Sequence, residues 1–362
     1  MDRRTMTSRP TVSRAALLKL LVLLAVSALL LSCEAVSYYA QAARGQMAII
    51  FSRQDIQKLL DSGSLAAREE DSFREVLAIR EFAARELELP VAEHYSTFVD
   101  LDREHVVWNV FAAPEFSTEL RTWCYPIAGC VSYRGYFSEA GAQRFADQLR
   151  DDGLDVYLGG VDAYSTLGWF EDSLLSTVMR RESHQLAGLI FHELAHQQVY
   201  VPGDTTFNES FATAVERAGV ERWLLSSEQG EVLVQAELNR QRQAQFVSLV
   251  SDYREQFSDL YQQDLSTSDM RVAKAALQER MRADYRQLRT QWGGYQGYDS
   301  WFKRSLNNAQ LATVSSYNDL VPAFTALLTE AGGDFAAFYM RVAEIAELDK
   351  VERDALLATY GS

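Results

Sequence analysis

Residues 189–200 read LIFHELAHQQVY, and two histidines in this stretch, His192 and His196, stand four apart with Glu193 directly after the first. On an α-helix, positions i and i+4 lie one above the other on one face, so both imidazoles reach a single ion while Glu193 projects to the side. This is the H-E-x-x-H spacing of zinc sites, in which the intervening carboxylate is left over as a base. The chain has five histidines, so a chance match is uncommon. The plainer alternative is a buried helix carrying two satisfied histidines.

A catalytic zinc site takes three protein ligands and keeps one open position. The third ligand expected here is Glu209 in TTFNESFA, with twelve residues between it and His196. Pro202 and Gly203 break the chain between the two helices and bring the start of the second against the first. Glu209 has an alternative role as a solvated helix-start carboxylate favoured by the dipole. Glu216, two turns further on the same face, is placed either to orient a ligand or to sit at the surface.

These residues belong to a chain of 362 residues, 48% hydrophobic and 23% charged. That suffices for a sizeable core in one large or two modest domains. Arg3, Arg4, Arg9, Arg14 and Lys19 precede or open the apolar run ALLKLLVLLAVSALLLSC, a basic region followed by a signal-type hydrophobic region. Its end, LLSC, resembles the lipobox of bacterial lipoproteins, which implies that Cys33 is the lipidated first residue of the mature chain. A plain secretory signal or a single membrane anchor is the alternative, and every one of these readings puts the remainder outside the cytoplasm. Glu34 rather than Asp follows Cys33, so the expected location is a periplasm-facing envelope lipoprotein with the outer membrane favoured. Without residues 1–32 the chain has 30 basic against 49 acidic residues, a formal charge of −19, a poor match for nucleic acid or an anionic membrane face, so no nucleic-acid partner is expected. The two remaining cysteines, Cys124 and Cys130, favour one small-loop disulfide in an oxidising compartment, with a thiolate metal pair as the alternative.

The elements that must position the motif follow from periodicity. YYAQAARGQMAIIFSRQDIQKLL and SFREVLAIREFAARELEL read as amphipathic helices, the second ended by Pro90. From 105 to 161 short aromatic and β-branched runs divided by Pro and Gly read as strands of a small, mostly antiparallel sheet. A helix with Ser138 as its N-cap interrupts them. Helices are expected over about 184–199 and 206–225, then a helical pair over 227–292 with a break at DLSTSD. A Gly and aromatic loop and three or so short helices follow.

The pairing of HELAH with FNESFATAVE resembles the gluzincin metallopeptidases, where an N-E-x-x-A helix supplies the third zinc ligand. Over nearly its full mature length the chain resembles a family of bacterial aminopeptidases with a lipoprotein signal, through CYPIAGCVSYRGYF, DVYLGGVDAYSTLGWFEDSLLST, FHELAHQQVY, FNESFATAVE and LNNAQLA in that order. The twelve-residue spacer is shorter than in the well-studied gluzincins. The resemblance implies zinc-assisted hydrolysis of a peptide substrate with Glu193 as general base. It also implies that GGVDAYSTLGWF lies along the substrate as an edge strand, although GGVDA is only a loose analogue of the G-A-M-E-N sequence of zinc aminopeptidases. Asp162 or Glu171 would then bind a free α-amine, and Tyr164, Tyr298 or Tyr317 would help an oxyanion. Asn208 and Tyr164 complete the candidates for orienting ligands or substrate, and His184 is expected to be structural or a pocket wall. An endopeptidase using the same zinc, or a non-catalytic envelope scaffold or binding lipoprotein, remains open.

The expected fold is therefore α+β and predominantly helical. It comprises a lipoprotein signal peptide (1–32), an N-terminal helical segment (33–104), a zincin-like catalytic core with the small sheet (105–226) and a helical C-terminal subdomain (227–362).

Overall fold

The computed structural model describes residues 38–125, 129–163, 171–314 and 320–360. The expected signal peptide, Cys33, Tyr164 and Tyr317 lie outside the described residues. The chain separates into two units, Met1–Phe51 and Ser52–Ser362. In the first, residues 38–51 form helix α1. The single helix expected across this region instead ends at residue 51. The next stretch is a two-residue strand, β1 (Gln54–Asp55), and then α2 (Ile56–Asp61), whose N-cap Asp55 accepts from the Lys58 N–H.

The second unit continues with α3 (Ala67–Glu86), β2 (Thr97–Val99), β3 (Val107–Pro114), β4 (Trp123–Tyr125), β5 (Gly129–Val131), β6 (Arg134–Tyr136), α4 (Glu139–Asp151), β7 (Leu154–Val161) and β8 (Leu174–Leu175). The motif pair comes next, α5 (Ser183–Gln198) and α6 (Thr205–Ser226), then the long pair α7 (Gly230–Tyr261) and α8 (Thr267–Gln291). Short helices close the chain: α9 (Asp299–Phe302), α10 (Asn308–Ala312), α11 (Val321–Glu330), α12 (Phe335–Ala346) and α13 (Lys350–Ala358). The fold is α+β and predominantly helical, and none of its described helices is long and apolar enough to cross a membrane.

The expected strands all form, but they divide among separate sheets. An antiparallel sheet of order β6-β3-β7 pairs Trp108 with Tyr136 and Gly160. The β4–β5 hairpin stands apart, with Cys124 opposite Cys130 and the two joined as a disulfide. A third sheet, β1-β2-β8, contains a parallel pair. Its strands are two or three residues long, too short for period-two alternation to show in the sequence.

Three apolar clusters organise the second unit. The largest joins α2 and α3 to α5 and α6 and to the C-terminal α11, α12 and α13, with Phe191, Phe207, Phe211, Phe324 and Phe338 fully buried. Burial of such a side chain is worth roughly 1.5–3 kcal/mol, so the motif helices are anchored from both sides. A second cluster lies between α7 and α8 and takes in α9 and α10, and the third packs α4 on β3 and β7. Polar clamps tie the second to the sheet. Asn308 Nδ2 donates to the carbonyls of Pro114 and Glu115, and Lys274 Nζ lies 2.6 Å from Asp155.

Candidate metal centre

Helix α5 begins where Gln185 Oε1 accepts the Glu182 N–H at 3.2 Å, a reciprocal cap. Leu186, Ala187, Ile190, Phe191, Leu194 and Ala195 are buried, so most of its circumference is packed and only the remaining strip can carry chemistry. His192 and Glu193 lie on that half-buried strip, with His196 one turn on. The helix stops at Val199, which is extended, and the turn passes through Gly203 at φ 82°. Asp204 then caps α6 by accepting the Phe207 N–H. Asn208 locks the turn, because its side-chain amide donates to the Val201 carbonyl and accepts the Val201 N–H, each at 2.8 Å. Asn208 is thus buried in the turn and holds the register of its neighbour Glu209.

That register brings the expected ligands together. Glu209 Oε2 lies 3.3 Å from His192 Nε2, and Glu209 Oε1 lies 3.7 Å from His196 Nε2. The three ligand atoms all fall within 4.8 Å of one another. Zinc–nitrogen and zinc–oxygen bonds of about 2.0–2.1 Å put tetrahedral ligand atoms roughly 3.3 Å apart, so the donor set fits a single zinc ion. On the other side of His192, Nδ1 lies 3.1 Å from Glu216 Oε2. A carboxylate in that position fixes the tautomer that points Nε2 at a metal. His196 Nδ1 is buried with no hydrogen-bond partner among the described residues, so the two imidazoles are supported unequally.

The electrostatics match this geometry. Burial opposes charge on His192, but hydrogen bonds to Glu209 and Glu216 and the charges of Glu216 and Glu193 outweigh it and raise its pKa to about 10. Burial and the neighbouring His192 charge push His196 down to about 4, against the pull of Glu209. Burial also raises Glu209, yet the two histidines win and hold it below its ordinary value. Three carboxylates around two imidazoles thus favour positive charge at one point, and a divalent cation answers the same field.

The cluster opens into a cleft of about 730 Å³ whose lining includes Asp162, His184, His192, Glu193, Glu216 and Tyr298. Asp162 is paired with His105 Nδ1, and Tyr298 is held by stacking on Phe246 at 4.2 Å. Glu171 is exposed, its carbonyl held by Arg53. Strand β7 is an edge strand and takes in only Gly159–Val161 of the expected GGVDAYSTLGWF strand, of which residues 164–170 lie outside the described residues. However, its Val156 and Leu158 carbonyls accept from Asn307 and Arg304, so only its last residues and the Asp162 turn remain toward the cleft. The disulfide hairpin stands in a sheet of its own.

Sequence reasoning missed Tyr95. It is buried, its N–H donates to the Asp172 carbonyl, and its hydroxyl is pushed well up by burial and by the charges of Glu193 and Asp172. Tyr95 sits about a hundred residues from the motif with no local pattern around it.

A family model described as putative aminopeptidase matches residues 37–357. The chain belongs to that family. No curated protein and no solved structure matches it. The match spans the motif pair and all three apolar clusters, so the site and the helices that brace it are within the part of the chain that the aminopeptidase family covers.

Proposed function

We propose that the protein is a zinc-dependent aminopeptidase of the gluzincin type, facing the periplasm from a lipid anchor at Cys33. The observation that carries the reading is the meeting of His192, His196 and Glu209 at one point, with Glu193 beside them on the same helix strip. His192, His196 and Glu209 would hold the metal. A bound zinc supplies Lewis acidity that polarises a scissile carbonyl and acidifies a water. Glu193 is adjacent to a ligand yet outside the ligand set, and as general base it would take the proton of the attacking water and deliver it to the leaving amine. Glu216 keeps His192 oriented. Asp162, facing the cleft, offers a carboxylate to the free α-ammonium of the substrate. A structural zinc would want four closed protein ligands, usually with Cys, and this set has three.

The test compares a peptide anilide with a free N-terminus and its N-acetylated form on protein of measured zinc content. Hydrolysis of the first but not the second supports the aminopeptidase. Equal cleavage of blocked and free peptides points to an endopeptidase, and a zinc-loaded protein inert on both points to a scaffold. In Glu193→Gln, zinc content and folding should persist while turnover falls by roughly a hundredfold or more. The intact mass of protein taken from membranes reports the anchor, since acylation at Cys33 adds a lipid.

A further inference from the structure

Arg181, Arg217 and Arg240 line the same cleft as His192 and Glu193. Arg181 precedes His192 by eleven residues, and Arg217 follows Glu209 by eight. Helices α5 and α6 are joined by a short turn and run antiparallel, so both arginines fall on the side of the ligand cluster away from that turn. Arg217 directly follows Glu216, whose carboxylate lies 3.1 Å from His192 Nδ1, whereas Arg181 stands just ahead of α5, so Arg217 is the nearer of the two to the ligands. Arg240 approaches from α7 and is paired with Glu237 at 2.7 Å. Arg217 is half-buried, and neither it nor Arg181 makes a side-chain hydrogen bond or ion pair among the described residues. Burial draws the Arg217 pKa down, helped by the charge of Arg240 and opposed by the charges of Glu216 and Glu237. A half-desolvated guanidinium whose N–H groups make no hydrogen bond is unfavourable, and a planar anion that it can grip with two N–H groups relieves it. In a chain of formal charge −15, three guanidiniums along one cleft mark a site for a negative group.

We infer that this end of the cleft binds the terminal carboxylate of a short peptide, with Arg217 as the anchor and Arg240 and Arg181 beside it. The inference rests on the peptidase reading and narrows its substrates. Arg217 begins beside the residue that touches His192, so the carboxylate it grips belongs to a residue only a few positions beyond the scissile bond. The substrates are then free oligopeptides rather than the N-termini of folded proteins. A carboxylate also comes from an acidic side chain, and the experiment separates the two sources.

Binding to zinc-supplemented Glu193→Gln protein is measured by calorimetry for three peptides: Leu-Gly-Gly-Gly as the free acid, the same peptide as its amide, and the amide of Leu-Gly-Gly-Glu. The free acid should bind roughly 10–100-fold more tightly than its amide, the scale of a charge-assisted hydrogen bond. Arg217→Gln should shrink that ratio toward one, and Arg217→Lys should restore part of it. Arg240→Gln, expected to reduce the ratio, serves if Arg217→Gln does not fold. Equal affinity of acid and amide, or no measurable binding of either, overturns the inference. So does equal binding of the free acid and the Glu-containing amide, which would assign the site to an acidic side chain. Hydrolysis by the parent is followed in parallel. A protein that cleaves nothing yet prefers the free acid defeats the peptidase reading and leaves the carboxylate site standing, whereas one that binds and cleaves acid and amide alike does the reverse.

Discussion

The side-chain amide of Asn208 spans the backbone of Val201, taking its N–H and giving to its carbonyl, both at 2.8 Å. This clasp closes the α5–α6 turn one residue before Glu209, so the position of the third ligand is set by a residue that faces away from the cleft. Asn208→Ala should therefore lose about 1–3 kcal/mol of stability, from the Val201 N–H left unpaired while its carbonyl keeps only the Asp204 N–H, together with zinc affinity. Urea unfolding and chelator competition measure the two. Loss of stability with unchanged zinc affinity would show that the register of Glu209 does not depend on the clasp.

In the proposed zinc site Glu216 would act on the metal through His192. Its removal in Glu216→Ala should weaken zinc binding about 10–100-fold with the fold intact. Affinity in the parent should also rise with pH. With a pKa of about 10, His192 holds a proton at neutral pH that a metal must displace, so apparent affinity should climb by up to tenfold per pH unit between 6 and 8. A flat profile over that range would mean that His192 binds no proton in the free protein.

Asp204 joins the first turn of α6 to the C-terminal helix α13. Its buried carboxylate lies 2.6 Å from Arg353 Nη2 and 3.2 Å from Lys350 Nζ. Burial alone would raise its pKa, but the bonds to Arg353, Phe207 and Lys350 lower it. The folded-state pKa is thus below the unfolded value of about 3.9, so its stabilisation is complete above that pH and fades as pH falls through the folded value. Asp204→Asn should cost about 3–5 kcal/mol at pH 7, because the buried Arg353 charge keeps its bond to the Leu348 carbonyl but loses its countercharge. Chemical denaturation at pH 7 and pH 3 should show the gap between parent and variant narrowing in acid. A gap that stays constant counts against this pairing as its source.

Gly219 is where α6 admits its neighbours. A Cβ there would meet Phe191 Cδ2 at 2.7 Å and Leu87 Cδ1 at 2.8 Å. Both side chains are fully buried and have little room to yield. Gly219→Ala should destabilise by about 1–3 kcal/mol despite the better helix propensity of Ala. An increase in melting temperature would show that this contact relaxes freely.

The candidate ligand set and its local frame were legible in the chain itself. An i, i+4 histidine pair on an apolar helix, a Pro-Gly break and an acidic residue early in the next helix are local patterns, and the structure brings the three ligand atoms of His192, His196 and Glu209 within 4.8 Å. The larger helices were readable for the same reason, since their periodicity extends over several turns. Strands β1, β2 and β8 were not, because two or three residues carry no period and their pairing is decided by partners as far apart as Phe98 and Leu174. Nor does the sequence declare which elements brace the motif. Helix α3 and helices α11 to α13 flank α5 and α6 in one core because each has an apolar face to bury, and which faces meet depends on the whole chain's packing. The placement of Arg240 on α7 and of Tyr298 ahead of α9 at the cleft, and the approach of Tyr95 to Glu193, were likewise set only by tertiary structure. Charge and hydrogen-bond partners across a cleft are properties of distance in space, and separation along the chain does not contain them.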